Sequence, residues 1–100
     1  MDKSRVIEIV KEFKDKAMKE FNPKEVYLYG SFAKGVPHKD SDIDVAFVYD
    51  TYNGDFTKDV GKLFLLSYKI DNRIEPIIVD EKDDISGFLS DIKKTGILID

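Results

Sequence analysis

Cysteine is absent from this chain of 100 residues, which excludes disulfides and thiolate metal centres. Any metal would have to be held by oxygen ligands, with at most the single histidine, His38, added. A basic excess is also missing. The formal net charge is −4, and lysines such as those in Lys11-Glu12-Phe13-Lys14-Asp15-Lys16 alternate with acids, the pattern of a solvated helix face rather than a nucleic-acid grip. No apolar run is long enough to span a bilayer and no signal peptide is evident, so a cytoplasmic protein with no membrane partner is expected. Internal repeats, low-complexity tracts and domain-sized linkers are lacking too. With 42% hydrophobic residues, the composition supports one domain, 1–100, around a modest core.

What is present is concentrated between Val26 and Val48. Two apolar runs, Val26-Tyr27-Leu28-Tyr29 and Val45-Ala46-Phe47-Val48, frame Gly30-Ser31 and Asp42-Ile43-Asp44. If 42–48 is a strand, Asp42 and Asp44 project from one face a few ångströms apart, because side chains alternate with period two. Two adjacent carboxylates repel unless a proton is shared or a cation bridges them, and a hard cation such as Mg²⁺ suits oxygen ligands on a rigid strand. Gly30 ends the preceding strand, and Ser31-Phe32-Ala33-Lys34 can form a short helix that stops at Gly35. Free N–H groups at such a helix start favour phosphate, a glycine lets phosphate approach the backbone, and Ser31 can add a hydroxyl donor. Asp40, Asp42 and Asp44 imitate the start of a calcium-binding loop, but Val45 and Thr51 stand where that loop needs Gly and Glu.

The segment Gly30-Ser31-Phe32-Ala33-Lys34-Gly35 through Ser41-Asp42-Ile43-Asp44-Val45 resembles the signature of the DNA polymerase beta-like nucleotidyltransferases, in particular their minimal, single-domain branch. The resemblance implies an α+β (α/β) fold, a small mixed β-sheet with helices packed on it. It also implies a magnesium- and ATP-dependent enzyme in which Asp42 and Asp44 ligate two Mg²⁺ ions and Gly30 and Ser31 grip the β- and γ-phosphates. Lys34 stands where Arg is common, so there it would meet phosphate as a point charge. The family needs a third carboxylate on a later strand. Glu75, in Arg73-Ile74-Glu75-Pro76-Ile77-Ile78-Val79, is preferred because alternation sets it on one face with Ile77 and Val79. Asp71, in a polar turn, and Asp80, at the strand's end, are rivals. Pro76 suggests an edge strand or bulge. His38 and Ser41 are read as loop residues, not catalytic groups.

Around this centre, apolar residues at Val6, Val10, Phe13, Ala17 and Phe21, flanked by Ile7 and Met18, predict a helix from Ser4 to Phe21 with Ser4 as N-cap. A second helix is predicted over Phe56 to Tyr68, with Val60, Leu63, Phe64 and Ser67 on one face, and a third near Ile85 to Lys94. The tail Gly96-Ile97-Leu98-Ile99 reads as an added strand, an interaction edge, or packing onto its own core. Minimal members of the resembled family are often antitoxins that transfer AMP to a helical HEPN-type toxin partner. Phe88-Leu89 through Ile97 is similar to their endings. The leading expectation is therefore a protein adenylyltransferase of this kind. A contact-only module that neutralises a helical partner, or transfer to a small molecule, are the alternatives. A homodimer is compatible with the sequence. Direct nucleic-acid binding, and with it a template-directed polymerase or tRNA-processing enzyme, is not expected.

Overall fold

The structure is a computed structural model that describes residues 2–37, 41–84 and 86–100. His38 and Ile85, on which expectations were placed, lie outside the described residues.

Helix α1, Lys3–Met18, is capped two residues before the expected position. Asp2 is the N-cap: its carboxylate accepts from the Arg5 N–H at 2.9 Å, while Ser4 sits inside the first turn. The helix ends before Phe21 because Asn22 takes a left-handed φ of 43° and Pro23 follows. Phe21 nonetheless packs against the core from beyond the helix. The buried stripe is Val6, Ile9, Val10, Phe13 and Ala17, the expected set with Ile9 added and Phe21 only half-buried.

Strand β1, Glu25–Tyr29, leads through Gly30 into the short helix α2, Ser31–Lys34, which closes on Gly35 in the left-handed conformation. Strand β2 is Ile43–Tyr49, so Asp42 immediately precedes it. Helix α3, Phe56–Tyr68, is capped by Asp55, whose carboxylate accepts from the Lys58 N–H at 3.2 Å. Then come β3, Ile74–Asp80, a 3₁₀ turn at Glu81–Asp83, helix α4, Phe88–Thr95, and β4, Ile97–Leu98.

These strands form a mixed sheet in the order β3-β2-β1-β4. The β1 strand runs antiparallel to both β2 and β4, whereas β2 and β3 are parallel. Parallel neighbours need a crossover, and α3 supplies it. β3 is thus an edge strand, where Pro76 is tolerated. The tail is an added strand: the Ile99 N–H donates to the Val26 carbonyl at 2.8 Å, and Ile99 is buried.

The central strand carries Val45, Ala46, Phe47 and Val48 in succession, all buried, because both sheet faces are covered there. On one face Val26, Leu28, Ile43, Val45, Phe47 and Ile78 meet α1 and α3, with Phe13 and Phe47 rings 5.4 Å apart. On the other, Tyr27, Ala46, Val48 and Val79 meet Leu89 and Ile92 of α4. The single short helix cannot roof the whole second face. Its end at Tyr29, Asp44 and Glu75 stays accessible, with Glu75 exposed and the other two half-buried.

Candidate active site

Gly30 is fixed at this end of the sheet by two independent constraints. Its φ of +76° with ψ of −154° is a conformation that only glycine adopts readily, and a Cβ there would run into the Asp44 carboxylate. Its freedom from a side chain therefore lets the turn out of β1 lie directly against the carboxylate on β2. The turn is held from behind: Phe32 and Ala33 are buried, and the Lys3 ammonium donates to the Ala33 carbonyl at 3.4 Å. The ladder of α2 starts with the Lys34 N–H donating to the Gly30 carbonyl at 3.1 Å, so the N–H groups of Ser31, Phe32 and Ala33 precede it.

Strand register does the rest. Asp44 stands opposite Tyr29 on β1 and opposite Glu75 on β3, so the three cross the sheet in one row. Asp42, two residues before Asp44, hydrogen-bonds Glu75. That contact raises the Glu75 pKa, together with burial and the Asp42 charge. Burial, then the charges of Glu75 and Asp42, push Asp44 up to about 6. Burial and the same acids on Asp44 and Glu75 raise the Tyr29 phenol as well. A row of acids whose ionisation is mutually penalised attracts a hard cation.

The rivals for the third carboxylate lie elsewhere and are occupied. Asp71 is clamped by Arg73, with Nη2 donating to Oδ2 at 2.7 Å and Nε donating to Oδ1 at 3.0 Å, which holds its carboxyl below the usual range. Asp80 faces Tyr49 at the far end of the sheet and accepts from the N–H groups of Tyr52 and Lys82. Lys34 is exposed, and with Tyr29 and Gly30 it borders a recess of about 270 Å³ that α4 closes with Phe88 and Ile92. A second recess of about 230 Å³ borders Asp42 and Glu75 on the side of Phe64 and Tyr68.

Among the described residues, no three His, Cys, Asp or Glu side chains are already arranged around one ion position. The donor set itself, three carboxylates on neighbouring strands and no nitrogen or sulfur, fits Mg²⁺.

Tyr29 was not foreseen as part of the site. It reads as one more apolar position of β1, and only the β1–β2 register brings it beside Asp44. Among the described residues no helix is long and apolar enough to cross a membrane.

A small mixed sheet of this order, with helices on both faces, is the polymerase beta-like nucleotidyltransferase fold. The family model described as "Polymerase beta, Nucleotidyltransferase" matches residues 11–99, and the chain belongs to that family. Among solved structures, a candidate nucleotidyltransferase from Sulfolobus solfataricus is 26% identical, with a TM-score of 0.66 over 96% of this chain and 80% of that one. A toxin-antitoxin structure with AMP-PNP is 24% identical, with a TM-score of 0.61 over 89% of this chain and 71% of the other. A mutant of the toxin-antitoxin MntA-HpeT shares the fold at 18% identity, with a TM-score of 0.59 over 99% and 73%. No curated protein matches the chain.

Proposed function

We propose that residues 1–100 are a single minimal nucleotidyltransferase domain that transfers AMP from ATP to a hydroxyl of a helical HEPN-type toxin protein, as the antitoxin of a cytoplasmic pair. The observation that carries this reading is the row of Asp44 and Glu75 with Asp42 beside it, set against a glycine turn that nothing bulkier could form. Support for nucleotide and partner comes from the fold shared with a toxin-antitoxin structure that holds AMP-PNP.

In this reading Asp42, Asp44 and Glu75 hold Mg²⁺, two ions in all, whose charge when bound stabilises the entering and leaving oxygens. Gly30 admits the triphosphate to the backbone. Ser31 contributes its hydroxyl and N–H to the β- and γ-phosphates, and Lys34 adds a cationic point charge at the edge. Glu75 accepts the proton of the acceptor hydroxyl. The contact with Asp42, burial and the Asp42 charge all raise its proton affinity, the direction a general base needs. The acceptor oxygen then bonds to the α-phosphorus, the bond from that phosphorus to the β-phosphate oxygen breaks, and pyrophosphate leaves.

A contact-only neutralising module is the second reading, favoured by one observation: the carboxylates are not already arranged around an ion position. To separate the two, the purified chain and its Asp42→Asn/Asp44→Asn variant are incubated with Mg²⁺ and α-phosphate-labelled ATP in an extract of the source organism. Label on a protein with wild type alone, located by mass spectrometry on a hydroxyl, supports transfer. Blank protein, RNA and small-molecule fractions would leave the contact-only module.

A further inference from the structure

On the covered side of the sheet, the end of α1 and the outer side of α3 enclose a groove of about 400 Å³. Phe21, Leu65 and Leu66 are its apolar lining. Lys16, Lys19, Lys62 and Lys69 surround it, against one acid, Glu20. This cationic rim stands on a chain of net charge −4, so it is a local departure from the molecule's overall sign. Glu20 is spent on Lys62 at 3.2 Å, and Lys16 meets Glu12 at 3.6 Å. Among the described residues, Lys19 and Lys69 have no carboxylate partner. Leu65 is 68% exposed, and Tyr68, in the next turn, is 63% exposed. Tyr68 in turn borders the recess beside Asp42 and Glu75. One helix, α3, therefore joins the groove to the carboxylates.

Resting on the proposed transfer to a protein, we infer that this groove docks an acidic amphipathic helix of the acceptor protein, anchored by two or three apolar side chains on Phe21, Leu65 and Leu66 and held by its carboxylates on the lysine rim. A concave apolar lining suits side chains spaced along one helix face. A bilayer would instead need a protruding apolar ridge, and a nucleic acid would be repelled at long range by the net negative charge. The few carboxylates of one helix match the lysines at close range and bring far less negative charge against the rest of the surface than a nucleic acid would. Docking along α3 delivers the partner next to Tyr68 and the acid row, where its hydroxyl must arrive.

The test is an NMR titration of the ¹⁵N-labelled chain with a synthetic helical peptide carrying leucines on one face and glutamates elsewhere. The same peptide with lysines for glutamates is the control. The inference expects the acidic peptide alone to shift the amides of Phe21, Leu65, Leu66 and Lys69. Lys19→Glu/Lys69→Glu should weaken it by roughly tenfold or more, the size of effect that charge pairs at an interface carry. Both substitutions are on the surface, and an unchanged spectrum elsewhere verifies folding. Equal response to both peptides, no response to the acidic one, or an affinity indifferent to the lysine reversals overturns it. So does binding of phosphatidylglycerol vesicles through these residues without peptide binding, or concentration-dependent self-association through them in sedimentation. The Asp42→Asn/Asp44→Asn chain should bind the peptide unchanged. Failure of AMP transfer with peptide binding intact would therefore strike the catalytic reading, and transfer without peptide binding would strike the docking surface.

Discussion

Replacing Asp44 by Asn should make the metal-free protein more stable, in a manner that depends on pH. Folding raises the Asp44 carboxyl from 3.8 to about 6 through burial and the charges of Glu75 and Asp42. Below about pH 4 the group is protonated in both folded and unfolded chains and costs nothing. Between about pH 4 and 6 the unfolded chain releases the proton while the folded one retains it, so stability falls as pH rises and levels off above about 6. At about 1.36 kcal/mol per unit the shift corresponds to about 3 kcal/mol, and solvent screening of a half-exposed carboxylate reduces this to the order of 1–1.5 kcal/mol. Asn fills the same space without the charge. In EDTA, Asp44→Asn should match wild type at pH 4 and melt roughly 5–10 °C higher at pH 7.5, by the usual conversion for a chain of this size. Excess Mg²⁺ should raise the wild-type midpoint and leave the variant little changed, because the proposed ion site needs the Asp44 carboxylate. Thermal unfolding followed by circular dichroism from pH 4 to 8 measures both. A pH-independent offset, or a variant less stable at pH 7.5, would refute the electrostatic argument.

Gly30→Ala should lose transfer altogether and cost about 1–3 kcal/mol, since it puts a Cβ on the Asp44 carboxylate and a side chain at φ +76°; a denaturant melt beside the label assay reads both. Glu75→Gln keeps a hydrogen-bonding partner for Asp42 but cannot accept a proton, and the transfer rate should drop at least about 100-fold. Its control, Asp71→Asn, should leave transfer intact while lowering stability by about 1–2 kcal/mol through the loosened Arg73 clamp. Gly96→Ala presses a Cβ onto the backbone carbonyls of Ile92 and Leu28; hydrogen exchange should show earlier opening of the Ile99-to-Val26 bond, with transfer retained.

The features legible in the sequence are those decided within a few residues. Gly30 and Gly35 bracket α2 as expected, α3 runs over the expected span, and Pro76 marks an edge strand. The helix-start chemistry misled at α1 because Asp2 and Ser4 are both competent caps, and the first turn went to the earlier one. At its other end, the apolar Phe21 continued the helical spacing while Asn22 and Pro23 set the backbone. Alternation within β3 assigned Glu75 a face but not a neighbour. Its meeting with Asp42, and that of Tyr29 with Asp44, depend on the registers of two strand pairs, one parallel and one antiparallel, which no local pattern encodes. The lysine-rimmed groove was illegible for the same reason, since α1 and α3 contribute its halves.

The most direct measurement is a paired labelling with Mg²⁺, using ATP labelled at the α-phosphate in one reaction and at the γ-phosphate in the other, with wild type, Asp42→Asn, Asp44→Asn and Glu75→Gln. Nucleotidyl transfer by the acid row expects α-label on the acceptor, γ-label released as pyrophosphate, and neither result with the variants. Acceptor carrying γ-label, or α-label transferred undiminished by the three variants, would contradict it.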